Sequence, residues 1–235
     1  MASGGFRALG TGLVLTVVGL GLWILVSRLL GGAVGAPDVQ VLTILHDRLG
    51  DGVSLEVPGT GTPLVGGRVR LGPTTVHLED GGQRAIAVAM LDFTGRLGQT
   101  EVTSLGYERV PFVRSPDGRW GLEGSLAPRL TSAVGALERR RMALESADPA
   151  GLSALADEGA PPVEEVAEIR EIFGLRGRRY LAKAWVMRSE RDRIQVAEHH
   201  RVLGDTPERP VDRLALRNLT LVPRGEVLLF SPGVM

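Results

Sequence analysis

The sequence contains no cysteine, a single lysine and a single asparagine among its 235 residues. The absence of cysteine excludes disulfide bonds, thiolate zinc sites and a cysteine nucleophile. Arginine supplies nearly all of the positive charge, and a GC-rich coding bias explains both this preference and the scarcity of asparagine. We therefore expect a bacterial protein. Aromatic residues are also few, at 4%.

The chain has no excess of charge of either sign. Lysine and arginine together number 27, aspartate and glutamate together also number 27, and the balance holds in both halves of the chain. A protein that binds nucleic acid needs surplus positive charge to neutralise phosphates, so we expect no nucleic-acid partner.

High-specificity chemical motifs are absent as well. The sequence has no Gly-x-Ser-x-Gly elbow and no His-Glu-x-x-His helix, and the glycine-rich segment 59–67 lacks the Lys-Ser/Thr of a phosphate-binding loop. His199 and His200 are adjacent on a predicted strand and point to opposite faces, which disfavours a shared metal ion. We therefore expect neither a cofactor nor a metal site.

One long hydrophobic run is present near the N-terminus. Residues 8–27 carry no charge, lie between Arg7 and Arg28, and are extended by two leucines to residue 30. A helix of this length spans the roughly 30 Å hydrocarbon core of a bilayer. The length favours an uncleaved signal-anchor over residues 8–30. A signal peptide cleaved after residues 33–35, with a secreted body, is the alternative.

The charges that flank this run indicate its orientation. The α-amino group and Arg7 precede it, whereas Arg28 is followed by several acidic residues. This balance favours a short cytoplasmic tail and an extracytoplasmic C-terminal body. The expected location is the bacterial inner membrane, with a single pass.

Residues 1–37 are interpreted as the tail, the anchor and a flexible Gly/Ala juncture, and residues 38–125 as a β-rich antiparallel region. A short helix over 39–49 precedes period-two patterns at 53–57 and 74–78 and an almost continuously apolar segment at 85–91. The apolar segment predicts a strand buried on both faces, and the Ser-Pro-Asp-Gly sequence at 115–118 predicts a tight turn.

Residues 126–235 are interpreted as an α+β domain. Helical periodicity covers 126–144, 149–155 and 163–173, and period-two patterns cover 180–189, 193–204, 213–222 and 226–230. Asp148 followed by proline predicts the start of the second helix. The fold class is therefore α+β: a transmembrane helix, then antiparallel strands, then helices packed on an antiparallel sheet.

Five segments carry a resemblance to a known family, namely ALERRRMALESAD, YLAKAWVMRSE, RIQVAEHHRVLG, DRLALRNLTLVP and EVLLF. Their order resembles the cystatin-like cone of the nuclear transport factor 2 (NTF2)-like superfamily, over about residues 126–235. The resemblance implies helices packed on a curved antiparallel sheet. Members include isomerases, dehydratases, ligand-binding modules and structural assembly domains, so the fold does not select a function. The region that ends in RVPFVRSPDGRWGLEG is similar to the last hairpin of such a domain, which leaves a tandem pair open.

Glu198 and His200 are the catalytic candidates. Strand alternation places both on the face that carries Ile194, Val196 and Val202. A buried carboxylate beside an imidazole can act as a general base. The structural alternative is that Glu198 pairs with an arginine from a neighbouring strand.

Two hypotheses for function follow. The first is a single-pass membrane-anchored interaction or assembly module without catalysis, which binds a protein partner or a second copy through one sheet face carrying Lys183, Arg193, His199, Arg201 and Arg217. The second is a small-molecule enzyme, or a lipophilic-ligand binder, whose cone pocket is lined by Trp185, Val196 and Leu216.

Overall fold

A computed structural model describes residues 36–157, 159, 163–225 and 227–231. The predicted anchor at 8–30 and the cleavage alternative at 33–35 lie outside the described residues. Within the described ranges, no helix is long and apolar enough to cross a membrane.

The described residues form helices and long strands in the predicted order. The helices are α1 (Pro37–Arg48), α2 (Pro128–Ser146), α3 (Pro149–Leu155) and α4 (Val163–Gly174), with a 3₁₀ turn at Asp80–Gly82. The first five strands are β1 (Ser54–Leu55), β2 (Leu64–Glu79), β3 (Arg84–Leu97), β4 (Thr100–Arg114) and β5 (Trp120–Leu122). The remaining strands are β6 (Arg176–Ser189), β7 (Ile194–Asp205), β8 (Pro210–Arg224) and β9 (Val227–Ser231). The α+β class is confirmed.

Local sequence signals explain where the long helix ends and the next begins. α2 buries the apolar stripe that its periodicity predicts, and it ends where Ala147 adopts a left-handed conformation with φ of 53°. The next residue, Asp148, accepts a hydrogen bond from the backbone N–H of Gly151 at 2.9 Å and caps α3. The predicted turn at 115–118 is also present, closed by the Gly118 N–H on the Ser115 carbonyl at 2.8 Å.

The strands of the described residues form one sheet in the order β1-β2-β3-β4-β6-β7-β8-β9, with β5 paired to β4. All neighbouring pairs are antiparallel except one. β4 and β6 run parallel, with residues 101–106 aligned on 184–189. The sheet therefore continues across the boundary placed at 125/126, and that division into regions stays a prediction.

The two faces of the sheet differ in burial. Helices α1 and α2 contact the sheet, and the largest buried side chains include Trp185, Tyr180, Phe93 and Phe112. We call the face that carries these side chains the inner face and the opposite face the outer face. The expectation that 85–91 is buried on both faces is wrong. Alternate residues of β3 are buried, whereas Ile86, Val88 and Met90 on the outer face are half-buried.

Candidate functional site

The inner face of β7 carries the predicted pair. Glu198 and His200 alternate with the exposed His199, and each of the two is 1% exposed. The period-two pattern therefore placed both side chains on the correct face.

Glu198 is held by three donors. Its Oε2 accepts hydrogen bonds from Arg140 Nη1 at 3.1 Å and from the Tyr180 hydroxyl at 2.8 Å, and its Oε1 accepts one from Trp185 Nε1 at 3.1 Å. These donors replace the water that burial removes from the carboxylate. The arginine comes from helix α2 rather than from a neighbouring strand, while the neighbouring strand β6 supplies the tyrosine and the tryptophan.

The protonation states of the neighbours fit this network. Burial and the Glu198 carboxylate raise the pKa of Tyr180 well above its ordinary value, so the phenol stays a donor. Burial acts to lower the pKa of Arg140, but Glu198, Tyr180 and Glu165 outweigh it and the pKa is raised. Arg140 Nη2 also donates to Glu165 of α4 at 3.0 Å.

His200 packs against the ring of Tyr180. The two rings stack with centroids 4.8 Å apart and an interplanar angle of 15°. Neither ring nitrogen makes a hydrogen bond with the residues that the structure describes. The nearest carboxylates are Glu168, 3.5 Å from Nε2, and Glu198, 3.9 Å from Nδ1. Burial lowers the pKa of the imidazole and favours its neutral form.

The contacts of Glu198 in this geometry are with buried side chains of the protein itself. A general base must reach a substrate proton within hydrogen-bond distance. Both Glu198 oxygens are engaged by buried donors, and His200 does not orient the carboxylate through a hydrogen bond. Glu198, on β7, therefore joins helix α2 and strand β6 through its hydrogen bonds.

Arg217 does not lie on the predicted interface. It lies on the inner face of β8, buried, and pairs with Glu165 at 3.4 Å and with Glu168, both on α4. Burial and the nearby Arg140 lower its pKa to about 10. Alternation defines two faces but does not say which is covered. On β8 the polar arginine lies inside because acidic residues of α4 pack above it.

The same part of β8 exposes two leucines, which corrects a second expectation. Leu214 and Leu216 lie on the outer face, 73% and 60% exposed. Leu216 therefore cannot line a pocket with Trp185 and Val196, which lie buried on the inner face. The expected lining of the cone pocket is wrong at this position, because the apolar alternation of β8 is reversed between its two ends.

The other predicted interface residues lie at or beside the outer face. Lys183 is exposed at a bulge of β6, and His199 is exposed on β7, directly opposite Leu216. Arg201 lies opposite Leu214 and binds Asp212 with two hydrogen bonds of 2.7 and 2.5 Å. Arg193 precedes β7 and pairs with Glu190 at 2.9 Å.

A metal site finds no support in the part of the chain that the structure describes, where no group of three or more histidine, aspartate or glutamate residues could hold an ion. His199 and His200 lie on opposite faces of β7 as expected.

Solved structures provide two comparisons. A putative ketosteroid isomerase from Shewanella frigidimarina is 15% identical, covers 42% of this chain and 90% of its own, and superposes with a TM-score of 0.35. An NTF2-like protein involved in plasmid conjugation is 11% identical, covers 73% of this chain and 77% of its own, and has a TM-score of 0.29. The chain resembles NTF2-like proteins. The resemblance is architectural and transfers no residue role. No protein-family model and no curated protein matches the sequence.

Proposed function

We propose that this protein is a membrane-tethered, non-catalytic assembly module that binds a second copy of itself through the outer face of β6, β7 and β8. The contact region, called the outer patch below, consists of Val186, His199, Arg201, Leu214 and Leu216. The observation that carries the proposal is the exposure of Leu214 and Leu216 on the outer face of β8, beside His199 and Arg201 of β7.

The inner face is filled by buried side chains, which supports the proposal. Trp185 and Tyr180 are fully buried there, and the carboxylate between them already has three donors. A substrate would have to displace the buried ion pair between Glu198 and Arg140, and breaking such a pair costs about 3–5 kcal/mol. The outer face requires no such disruption.

The charges of the outer patch favour a copy of the same surface. Arg201 is neutralised by Asp212, and the chain as a whole has no net charge. A twofold dimer brings one patch against itself, so an unbalanced patch would repel its copy. A neutral surface with exposed leucines avoids this repulsion and favours self-association.

The proposal includes a membrane tether over residues 8–30, which would favour self-association. Confinement to a bilayer raises the local concentration of a weakly associating domain, as a linker does for two tethered modules. The body is proposed to lie on the extracytoplasmic side.

Cysteine cross-linking tests the interface because the natural chain has no cysteine. Full-length Leu216→Cys, treated with a short bismaleimide in its native membrane, should give a covalent dimer. Arg170→Cys is the matched control, since Arg170 is exposed on helix α4 and not on the outer face. Equal dimer yields at both positions, or none at Leu216→Cys, would overturn the interface.

A charge substitution provides the second test. Leu216→Asp should reduce the dimer fraction at least about tenfold, because each patch would bring a new carboxylate into the apolar contact and desolvate it. Thermal stability should stay within about 2 °C of the parent, since the side chain is mostly exposed. A parallel loss of stability and association would indicate a packing role instead.

Labelling from outside intact cells tests the tether and its orientation. A membrane-impermeant maleimide should label Arg170→Cys, which lies outside the proposed interface, and leave Ser3→Cys unlabelled until the membrane is opened. Labelling of Ser3→Cys alone would reverse the proposed topology, and recovery of a mature protein without residues 8–30 would refute the tether.

A further inference from the structure

An open cleft of about 670 Å³ lies between α2, α3 and β9, away from the outer patch. Its volume is within the range of about 300–1,000 Å³ that small-molecule sites occupy. Most of its lining is apolar and comes from all three elements, with Met142, Ala143, Ala154, Leu155, Val227 and Leu229 as the main contributors.

Two large apolar side chains of this cleft are exposed. Met142 of α2 is 50% exposed and Val227 of β9 is 52% exposed, while Leu155 and Leu228 behind them are buried. Covering the exposed surface would contribute about 25 cal/mol per Å². Methionine is also flexible and adapts to a chain-like ligand.

One cation in the lining has no partner among the described residues. Arg139 is exposed and makes no hydrogen bond or ion pair with the described residues. Its neighbours differ: Arg140 binds Glu198 and Glu165, and Arg141 binds Glu138 and Glu145. Arg129, at the start of α2, donates to the Arg193 carbonyl, so Arg139 is the one arginine of this helix without a side-chain partner among the described residues.

The remaining polar groups of the cleft are already used within the fold. The Ser146 hydroxyl donates to the Met142 carbonyl at 2.8 Å, and the Asp148 carboxylate caps α3. Gly59 lies beside the guanidinium, where an added Cβ would be 3.8 Å from Arg139 Nη1. The available recognition chemistry is thus an apolar trough with a positive group at its rim.

We infer that this cleft binds a single-chain anionic amphiphile, a molecule with a linear apolar chain and a carboxylate head, such as a fatty acid. The chain would lie between Met142 and Val227, and the carboxylate would bind Arg139, whose planar guanidinium suits bidentate contact. The inference goes beyond the proposed function and uses a different surface of the molecule.

Dodecanoate is the probe, measured by equilibrium dialysis against the full-length protein in nanodiscs of phosphatidylcholine, with empty nanodiscs subtracted. Dodecanoate should bind at one site per chain. Dodecyltrimethylammonium, with the same chain and opposite charge, should bind at least about tenfold more weakly, and so should butyrate, which keeps the carboxylate and lacks the long chain.

Three variants make the test specific. Arg139→Gln should weaken dodecanoate binding about tenfold, since a charge-assisted hydrogen bond is lost. Ala154→Trp should abolish binding by filling the trough, and Ala154 is exposed, so the fold tolerates the larger side chain. Arg109→Gln, at an exposed arginine of β4, is the matched control and should leave binding unchanged.

Two results would overturn the inference. One is equal binding of the cationic and anionic amphiphiles, which would indicate non-specific partitioning. The other is unchanged binding by both Arg139→Gln and Ala154→Trp, which would place the ligand elsewhere. Neither result bears on cross-linking at Leu216→Cys, so the two proposals fail independently.

Discussion

Glu108 of β4 caps the first turn of α2 by accepting the backbone N–H of Leu130 on Oε1 at 2.8 Å. Its Oε2 accepts the N–H of Arg129 at 2.8 Å. The local N-cap residue is Ala127, which has no side chain to accept these bonds. A strand of the β-rich region thus supplies the cap of the first helix of the next region.

The first prediction concerns the pH dependence that this cap introduces. Burial raises the pKa of Glu108 from 4.5 to about 7, against the two backbone hydrogen bonds, which lower it. The folded chain then holds the proton more tightly than the unfolded chain. The contribution of Glu108 to stability should be full below about pH 4.5 and fall by about 3 kcal/mol as the pH rises to about 7. Urea unfolding of Glu108→Gln should lack this decline. Glu101→Gln, at an exposed glutamate of β4, is the control. The prediction would be contradicted if the free energy of unfolding of Glu108→Gln fell with pH as steeply as that of the parent.

The second prediction concerns His200, whose contribution to stability should change with pH in the opposite direction. Burial lowers the pKa of His200 below 6.5, and Glu168, Glu198, Arg140 and Arg213 surround it. The unfolded chain therefore binds this proton more readily, so the stability from neutral His200 is present above about pH 6.5 and lost as the pH falls. His200→Phe keeps an aromatic ring against Tyr180 and should lose less stability on acidification. His199→Phe is the exposed control, and an equal acid sensitivity of His200→Phe and the parent would refute this assignment.

The third prediction concerns the buried ion pair. Glu198→Ala should lower the free energy of unfolding by about 3–5 kcal/mol, because Arg140 would stay buried with one partner fewer and two other donors would be unsatisfied. Chemical denaturation measures the loss. Glu208→Ala, on an exposed loop, should change stability by less than about 0.5 kcal/mol. A loss below about 1 kcal/mol for Glu198→Ala would show that the network does not hold the helix to the sheet.

The fourth prediction concerns the parallel seam between β4 and β6. A Cβ added at Gly106 would overlap the backbone and Cβ of Ser189, its partner across the seam. Gly106→Ala should therefore cost about 1–3 kcal/mol, since neighbouring backbone cannot move as a flexible side chain can. Gly121→Ala on β5 is the control, because the added Cβ would be 3.9 Å from its nearest neighbour. Equal melting temperatures for the two variants would contradict the close approach.

Much of the inner site could be predicted from the sequence alone. Alternation on β7 placed Glu198 and His200 with the apolar residues, and the Asp-Pro pair at 148–149 located the start of α3. Both depend on backbone geometry over a few residues, namely a repeat of two in a strand and a cap within one helical turn. The four C-terminal strands were predicted for the same reason, with ends within four residues of those observed.

The partners of these residues were decided by the tertiary structure. Arg140 and Glu198 lie 58 positions apart, and Glu108 and Leu130 lie 22 apart. Arg217 was assigned to the wrong face because the acidic helix that covers it is specified elsewhere in the chain. The parallel joining of β4 to β6 likewise has no local signal. Local sequence determined which side chains share a face. Only the packing of distant elements decided which face is buried, which charges meet, and which leucines stay exposed.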